Sequence, residues 1–224
     1  MAAGYGTRLN DLNNCPKGLM KIDNRTIIER NLENINSVKE INKIIIVTNK
    51  MFKEQYDAHL KNTNFNYEII LNECVKRGNG YSFYLSHEGI STKKFALIMS
   101  DHLFSKSFTR KASLGDGLAV DADPIYYDYD DATKVLVDSE GYVKDIGKNL
   151  LKFNYIDTGF FILKNSIFTV IEEIVNKQEK FGVSDIIKNA RISTVDVTGN
   201  FWMDIDTQND LNFARTHAQN YLSL

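Results

Sequence analysis

The sequence has little proline and cysteine and no long hydrophobic run. Only two prolines and two cysteines occur in 224 residues. Cys15 and Cys74 lie far apart and match no zinc-site spacing, which argues against a disulfide framework and favours a reducing compartment. No apolar stretch approaches the roughly 20 residues of a membrane-spanning helix, and the N-terminus has no signal-peptide pattern. These features predict a cytoplasmic protein without a membrane span.

The sequence also has no large excess of either positive or negative charge. The 27 Lys and Arg residues nearly balance the 29 Asp and Glu residues, so the formal net charge is only -2. A protein that binds nucleic acid usually carries a basic field, and we therefore expect no nucleic-acid partner. No internal repeat or low-complexity linker occurs, which predicts one domain over residues 1–224.

The hydrophobic pattern predicts two halves of different character. Up to residue 105, helices alternate with apolar strands, which is typical of a mainly parallel sheet with helices on both sides. After residue 105 the pattern predicts a hairpin, a long strand and helices. Helices are predicted at 26–35, 50–60, 80–88, 166–176, 184–190 and 207–221, and strands at 43–48, 67–71, 95–100, 155–163 and 192–197, with the hairpin at 132–147.

The N-terminal stretch "MAAGYGTRLNDLNNCPKG" carries a glycine-rich turn followed by basic residues. Gly4 and Gly6 allow close backbone approach and positive φ, so that N–H groups can turn toward phosphate oxygens, while Arg8 and Lys17 add positive charge. The GxxxxGK[ST] motif is missing, and Leu9 stands where the dinucleotide fingerprint requires glycine. A glycine-rich surface turn is the alternative, but the accompanying basic residues favour a triphosphate site.

Acidic residues occur where two predicted strands end. Asp101 follows an apolar strand, so its carboxylate should emerge at the edge where open α/β sheets bind ligands. Asp204 and Asp206 alternate, and in an extended segment both would point to one side. Carboxylates at such an edge suit Mg²⁺, and we predict a metal site formed by these three residues. In the alternative, Asp101 caps the next helix and Asp206 caps the last one.

The stretches "AAGYGTRL" and "CPKGLMKI" resemble the signature of the sugar-nucleotide type nucleotidyltransferases. "KRGNGYS", "SDHLFS", "ATKV", "IGKNL", "DTGFFIL" and "FWMDIDTQNDL" extend the likeness over nearly the whole chain, and together they resemble the CTP:inositol-1-phosphate cytidylyltransferases. The resemblance implies a three-layer α/β sandwich with a Rossmann-like nucleotide-diphospho-sugar transferase fold and a mixed central sheet. In that family the opening motif follows a central strand, so we expect this first strand to be missing at the N-terminus and to leave a gap in the sheet.

The resemblance also implies roles for individual residues. It divides the chain into a nucleotide-binding half, about 1–105, and an acceptor-binding half, about 106–224. Arg8 and Lys17 are the expected catalytic residues. Lys148 is expected to bind the acceptor phosphate, with Lys134 as a weaker candidate, and Asp157 to accept hydrogen bonds from a polyol; solvated hairpin lysines are the alternative for both lysines. The expected nucleotide-binding residues are Ala2, Ala3, Gly4, Gly6, Thr7, Arg8, Lys17, Gly78, Asn79 and Gly80, of which the last three would read the base.

The implied reaction is cytidylyl transfer from CTP to inositol 1-phosphate with Mg²⁺. Its small-molecule partners are the nucleotide and a phosphomonoester, whose second pKa of about 6 makes it a nucleophile without a protein base. Within the same reaction type, phosphocholine or a sugar 1-phosphate is an alternative acceptor. A non-catalytic nucleotide-binding regulator is an alternative from a different class. The oligomeric state is left open, with a homodimer as one alternative.

Overall fold

The structure is a computed structural model that describes residues 1–6, 9, 15–39 and 41–222. Each helix predicted from the sequence is present, whereas the helix Lys106–Ala112 has no predicted counterpart. No helix within the described residues is long and apolar enough to cross a membrane. The helices are α1 Ile27–Val38, α2 Lys53–Leu60, α3 Asn79–Leu85, α4 Lys106–Ala112, α5 Ile167–Val175, α6 Val183–Asn189, α7 Gln208–His217 and α8 Gln219–Leu222. The strands are β1 Lys21–Ile22, β2 Arg25–Thr26, β3 Ile44–Thr48, β4 Tyr67–Leu71, β5 Lys94–Ile98, β6 His102–Phe104, β7 Gly117–Asp121, β8 Lys134–Val137, β9 Val143–Gly147, β10 Tyr155–Lys164, β11 Thr194–Asp196 and β12 Trp202–Asp204.

The long strand β10 organises a six-stranded mixed sheet. It pairs antiparallel with β5, β7 and β8, while β9 pairs antiparallel with β8 and β11 pairs parallel with β7. Because β5 and β7 are both antiparallel to β10, they run in the same direction as each other and as β11. Strands β3 and β4 form a separate parallel pair. The predicted mixed α/β sheet is confirmed.

Main-chain hydrogen bonds of the first two residues connect the β3–β4 pair with the six-stranded sheet. The Ala2 amide donates to the Val47 carbonyl over 2.9 Å, and the Ser100 amide donates to the Met1 carbonyl over 3.1 Å. The Met1 nitrogen donates to the Ile98 carbonyl over 2.9 Å. Within the described residues, the facing edges of β3 and β5 pair with no other strand, and Ala2 forms an isolated parallel bridge with Thr48 of β3.

Successive residues of β10 supply two hydrophobic layers on opposite sides of the sheet. Phe161 belongs to a cluster with Phe83 of α3, Ile171 of α5 and Ile186 of α6. Its neighbour Phe160 belongs instead to a cluster with Phe104, Phe108 of α4 and Trp202. Since side chains alternate along a strand, both faces of the sheet are covered, and the predicted three-layer arrangement is confirmed.

Helix α1 holds the main chain of β6. A capping box begins the helix: the Thr26 hydroxyl accepts from the Glu29 amide, and the Glu29 carboxylate accepts from the Thr26 amide. Further along, the Asn31 side-chain amide donates to the His102 carbonyl over 2.7 Å, and that of Asn34 donates to the Phe104 carbonyl over 2.9 Å. These two hydrogen bonds fix the position of β6 relative to the helix.

We predict that Asn31→Ala lowers the free energy of unfolding by about 1–3 kcal/mol, because it leaves the His102 carbonyl without its buried donor. Asn31 is only 4% exposed. Asn62→Ala is the matched control, since the exposed Asn62 amide also donates to a main-chain carbonyl, that of Ala58, where water can replace it. Urea unfolding measures both changes, and equal losses in the two variants would contradict the assignment.

Candidate active site

The pairing of β6 with β12 brings Asp101 to the two aspartates of the last strand region. Asp101 lies in the turn between β5 and β6, and Asp204 is the antiparallel partner of His102. The Ile205 amide donates to the Asp101 carbonyl over 2.9 Å. Two segments about 100 residues apart in sequence therefore meet at one edge, as the sequence predicts.

Lys17 bridges two of these carboxylates. Its Nζ lies 3.3 Å from Asp101 Oδ2 and also forms an ion pair and hydrogen bond with Asp206 Oδ1. The side chains of Lys17 and Asp206 are 14% and 15% exposed. Burial alone would lower the pKa of Lys17, but the charges of Asp101 and Asp206 outweigh it and raise this pKa above its ordinary value. Lys17 is therefore a stable cation between two acids.

His102 holds the other oxygen of Asp101. The His102 Nδ1 lies 3.0 Å from Asp101 Oδ1. Burial would raise the pKa of Asp101, but the hydrogen bond with His102 and the charges of His102 and Lys17 hold it well below its usual range. Burial would lower the pKa of His102, whereas its contact with Asp101 and the charges of Asp204 and Asp157 raise it. Each group thus favours the charged form of the other.

The two aspartates of the last strand region have different surroundings. Burial raises the pKa of Asp204, opposed by the charge of His102 and reinforced by Asp206, Asp101 and Asp210. The alternative of Asp206 as a helix cap is wrong: Thr207 caps α7, and its hydroxyl accepts from the Asp210 amide. Among the residues that the structure describes, no three His, Cys, Asp or Glu side chains form a ready metal cluster.

A cavity of about 310 Å³ lies beside Lys17 and Asp101, a size at the lower end of the range for small-molecule pockets. Its lining combines the two glycine motifs that the sequence singles out. Tyr56, Ser82 and Ser100 also contribute to it. The sequence gives these three no role, and Tyr56 and Ser82 fall within predicted helices. The lining residues are Met1, Ala2, Ala3, Gly4, Gly6, Pro16, Lys17, Tyr56, Val75, Gly78, Asn79, Ser82, Met99, Ser100 and Asp101.

The segment Gly78–Gly80, which comprises the N-cap and the first two residues of α3, packs against the backbone before α6. Gly78 has φ +91°, and a Cβ there would lie 2.3 Å from the Phe181 carbonyl oxygen. The Gly80 amide donates to the same carbonyl over 3.2 Å, and Asn79 Oδ1 accepts from the Val183 amide over 2.9 Å. The N-cap of α3 is Gly78. The close approach of residue 181 therefore accounts for both glycines, and base reading by this segment stays a prediction.

The predicted acceptor residues Lys134 and Lys148 lie on the β8–β9 hairpin and just after it. Lys134 is buried, and its Nζ donates to the carbonyls of Tyr129 over 3.0 Å and Lys148 over 2.9 Å. It also lies 4.7 Å from the centre of the Tyr129 ring. Lys148 is exposed and pairs with Asp131. In this structure Lys134 thus holds loop carbonyls, and an acceptor-binding role for either lysine stays a prediction.

Asp157 lies on β10 on the side of His102. Its Oδ1 accepts a hydrogen bond from the Gly159 amide over 2.8 Å. Burial raises the pKa of Asp157 to about 6, although this hydrogen bond and the charge of His102 act in the opposite direction. Thr7 and Arg8, which the sequence assigns to the triphosphate, lie outside the described residues.

Comparison with known proteins gives matches along the whole chain. A family model described as nucleotidyl transferase matches residues 1–220. A bifunctional IPC transferase and DIPP synthase of Aquifex aeolicus (strain VF5) is 42% identical over 218 residues, which are 97% of this chain and 50% of that protein. The protein of the same name from Thermococcus kodakarensis is 39% identical over 96% of this chain and 49% of its own length. This chain thus spans about half the length of the curated relatives it matches.

Solved structures share the fold. The inositol-1-phosphate CTP transferase from T. maritima superposes with a TM-score of 0.86 and 23% identity, covering 99% of this chain and 92% of that one. A CTP:phosphocholine cytidylyltransferase from Streptococcus pneumoniae gives a TM-score of 0.71 at 23% identity, covering 96% of this chain and 95% of that one. At these identities the likeness supports the architecture alone.

We predict that Asp157→Asn removes a loss of stability that the wild type suffers as the pH rises. The folded carboxyl keeps its proton up to about pH 6, whereas a carboxyl at the ordinary value of 3.8 releases it earlier. Stability therefore falls between about pH 4 and pH 6. Relative to Asp157→Asn, the wild type should lose about 2 kcal/mol of unfolding free energy between about pH 4.5 and pH 7.5, measured by urea unfolding.

Asp138→Asn is a control for which the pH dependence of stability should change in the opposite direction. Asp138 is exposed, and hydrogen bonds from the amides of Tyr142 and Glu140 lower the pKa of its carboxyl. Its contribution is present above the ordinary pKa and lost as the pH falls, so this variant should be weakened at neutral pH. An Asp157→Asn variant whose stability follows the wild type at both pH values would contradict the prediction.

Proposed function

This chain belongs to the nucleotidyl transferase family, and we propose that it transfers a cytidylyl group from CTP to inositol 1-phosphate with release of pyrophosphate. The observation that carries the proposal is the position of Lys17, which two carboxylates hold at the wall of a cavity lined by the glycine-rich turn. Further support comes from relatives at 39–42% identity that are named IPC transferases.

The proposed chemistry requires positive charge more than a protein nucleophile. A phosphomonoester is largely dianionic at neutral pH, so its oxygen attacks the α-phosphorus of CTP. A new P–O bond forms there, the bond from the α-phosphorus to the oxygen bridging it to the β-phosphorus breaks, and pyrophosphate leaves with that oxygen. The difficulty is to bring two anions together and to stabilise the charge on the transferring phosphoryl group. Lys17 supplies one fixed charge at the cavity wall, and Arg8 is proposed from the sequence as a second.

The donor set fits Mg²⁺. The carboxylates of Asp101 and Asp206 already converge on one cationic atom, Lys17 Nζ, and the low pKa of Asp101 keeps it ionised at neutral pH. Mg²⁺ is commonly held by one or two carboxylates together with substrate phosphates. We propose that Asp101 and Asp206 hold the ion, with Asp204 next to them. When bound, it would neutralise charge on the phosphates of the nucleotide.

The acceptor side is proposed to lie toward β10 and the β8–β9 hairpin. Asp157 presents a partly buried carboxylate there, which suits the hydroxyl groups of a polyol because a carboxylate accepts several hydrogen bonds. Lys148 lies at the hairpin end with its ammonium exposed. We propose that it contacts the acceptor phosphate, and that Lys134 holds the Lys148 main chain.

An acceptor panel tests the substrate. With CTP and Mg²⁺, we expect faster pyrophosphate release with inositol 1-phosphate than with phosphocholine or glucose 1-phosphate. Repeating the inositol 1-phosphate assay with UTP in place of CTP tests the nucleotide in the same way. A higher kcat/KM for phosphocholine would refute the proposed acceptor, and binding of CTP without pyrophosphate release from any acceptor would favour a regulator.

We predict that Lys17→Met lowers kcat/KM by roughly 100- to 1000-fold, because it removes fixed charge at the phosphate wall. Lys21→Met is the control, since Lys21 is exposed on β1. Lys17→Met also leaves two carboxylates without their shared cation, so the melting temperature of the variant is measured beside its activity. A Lys17→Met variant that stays folded and keeps wild-type kcat/KM would disprove the role of Lys17 in transfer.

A further inference from the structure

We propose that His102 is a positioning residue. It orients the Asp101 carboxylate toward Lys17, whose ammonium Asp101 shares with Asp206. The inference rests on the proposed function for its catalytic consequence. The two oxygens of Asp101 have separate partners: Oδ1 lies 3.0 Å from His102 Nδ1, and Oδ2 lies 3.3 Å from Lys17 Nζ. The last torsion of an aspartate is intrinsically broad, so a partner on each oxygen is what selects one orientation.

The direction of the hydrogen bond follows from the two groups that form it. A carboxylate oxygen accepts and an imidazole N–H donates, so at a separation of 3.0 Å the proton of this bond lies on His102 Nδ1. A hydrogen bond to a charged acceptor is stronger than one between neutral groups. His102 thus selects the orientation in which Oδ2 is directed at Lys17.

The ring of His102 is itself held in place. It stacks on Trp202 with a centroid distance of 6.0 Å and an angle of 6° between the planes. Trp202 is buried, and its Nε1 donates to Oδ2 of the buried Asp121 over 2.8 Å. On the Nε2 edge, Gly159 has φ +71°, and a Cβ there would lie 2.6 Å from that nitrogen. The ring therefore lies between an anchored indole and a backbone segment that must be glycine.

The main chain of His102 is fixed as well. Its carbonyl accepts from the buried Asn31 amide, and its strand pairs with β12 so that Asp204 lies opposite. Because both its main chain and its ring are held in place, His102 can fix the orientation of the Asp101 side chain. The same anchoring predicts that changes at His102 act on Asp101 without large rearrangement of the sheet.

Two amide substitutions distinguish the ring nitrogens. In His102→Asn, the amide nitrogen can occupy the position of Nδ1 and donate to Asp101, whereas in His102→Gln it lies farther out, near Nε2. We expect His102→Leu and His102→Gln to lower kcat roughly 10- to 100-fold and to raise the Mg²⁺ concentration for half-maximal rate, with a smaller change in KM for inositol 1-phosphate. His102→Asn should stay within about threefold of the wild type.

His217→Asn is the control, because His217 is exposed on α7 and stacks on Phe213; it should leave all parameters unchanged. A His102→Leu variant with wild-type kcat and Mg²⁺ dependence would overturn the proposal. Equal losses in the Asn, Gln and Leu variants would also overturn it, since the ring rather than the donor would then matter.

A measurement without substrates separates this inference from the proposed function. In the ligand-free wild-type protein, ¹⁵N NMR of the histidine side chains should show a proton fixed on His102 Nδ1, assigned by loss of its signal in His102→Asn. A signal averaged between tautomers would refute the positioning role. If the proton is fixed but the wild type forms no CDP-inositol, the proposed function fails and the orientation of Asp101 by His102 stands.

Discussion

The ion pair in which Asp101 and Asp206 share the ammonium of Lys17 is the interaction on which the site depends. The three residues come from segments that are 84 and 189 positions apart from Lys17 in sequence. Two carboxylates at this edge would repel each other without the ammonium, and a buried charge without a partner is strongly destabilising. The turn after β5, the segment after β12 and the stretch after the glycine-rich loop therefore have to meet at one point.

Within the described residues, four carboxylates lie near this ion pair or form part of it, those of Asp101, Asp157, Asp204 and Asp206. They interact with the basic side chains of Lys17 and His102. Burial raises the pKa of both Asp157 and Asp204, which shows that their environment disfavours negative charge. A site of this kind gains when a substrate or cation supplies hydrogen bonds or positive charge, so binding and stability are linked.

Much of the fold could be predicted because it is encoded locally. Helical spacing marks α1 and α5, and the apolar runs mark β3 and β5. Asp101 and Lys17 were also predictable, since a strand end and a glycine-rich turn indicate where a ligand binds. Contacts between residues that are far apart in sequence leave no local pattern from which they could be predicted. Thr207 rather than Asp206 caps α7, and Lys134 donates hydrogen bonds to two carbonyls. Both arrangements depend on neighbouring residues in the fold that the sequence does not reveal.

The contact between Gly78 and Phe181 has a consequence for the order of folding. One wall of the cavity is held by hydrogen bonds between the segment Gly78–Gly80 and the segment from Phe181 to Val183, which is synthesised about 100 residues later. Contacts of such long range close slowly, and a chain emerging from the ribosome makes them late. A nascent chain that ends before residue 181 therefore has every residue that lines the cavity and still lacks the segment that holds one of its walls in place.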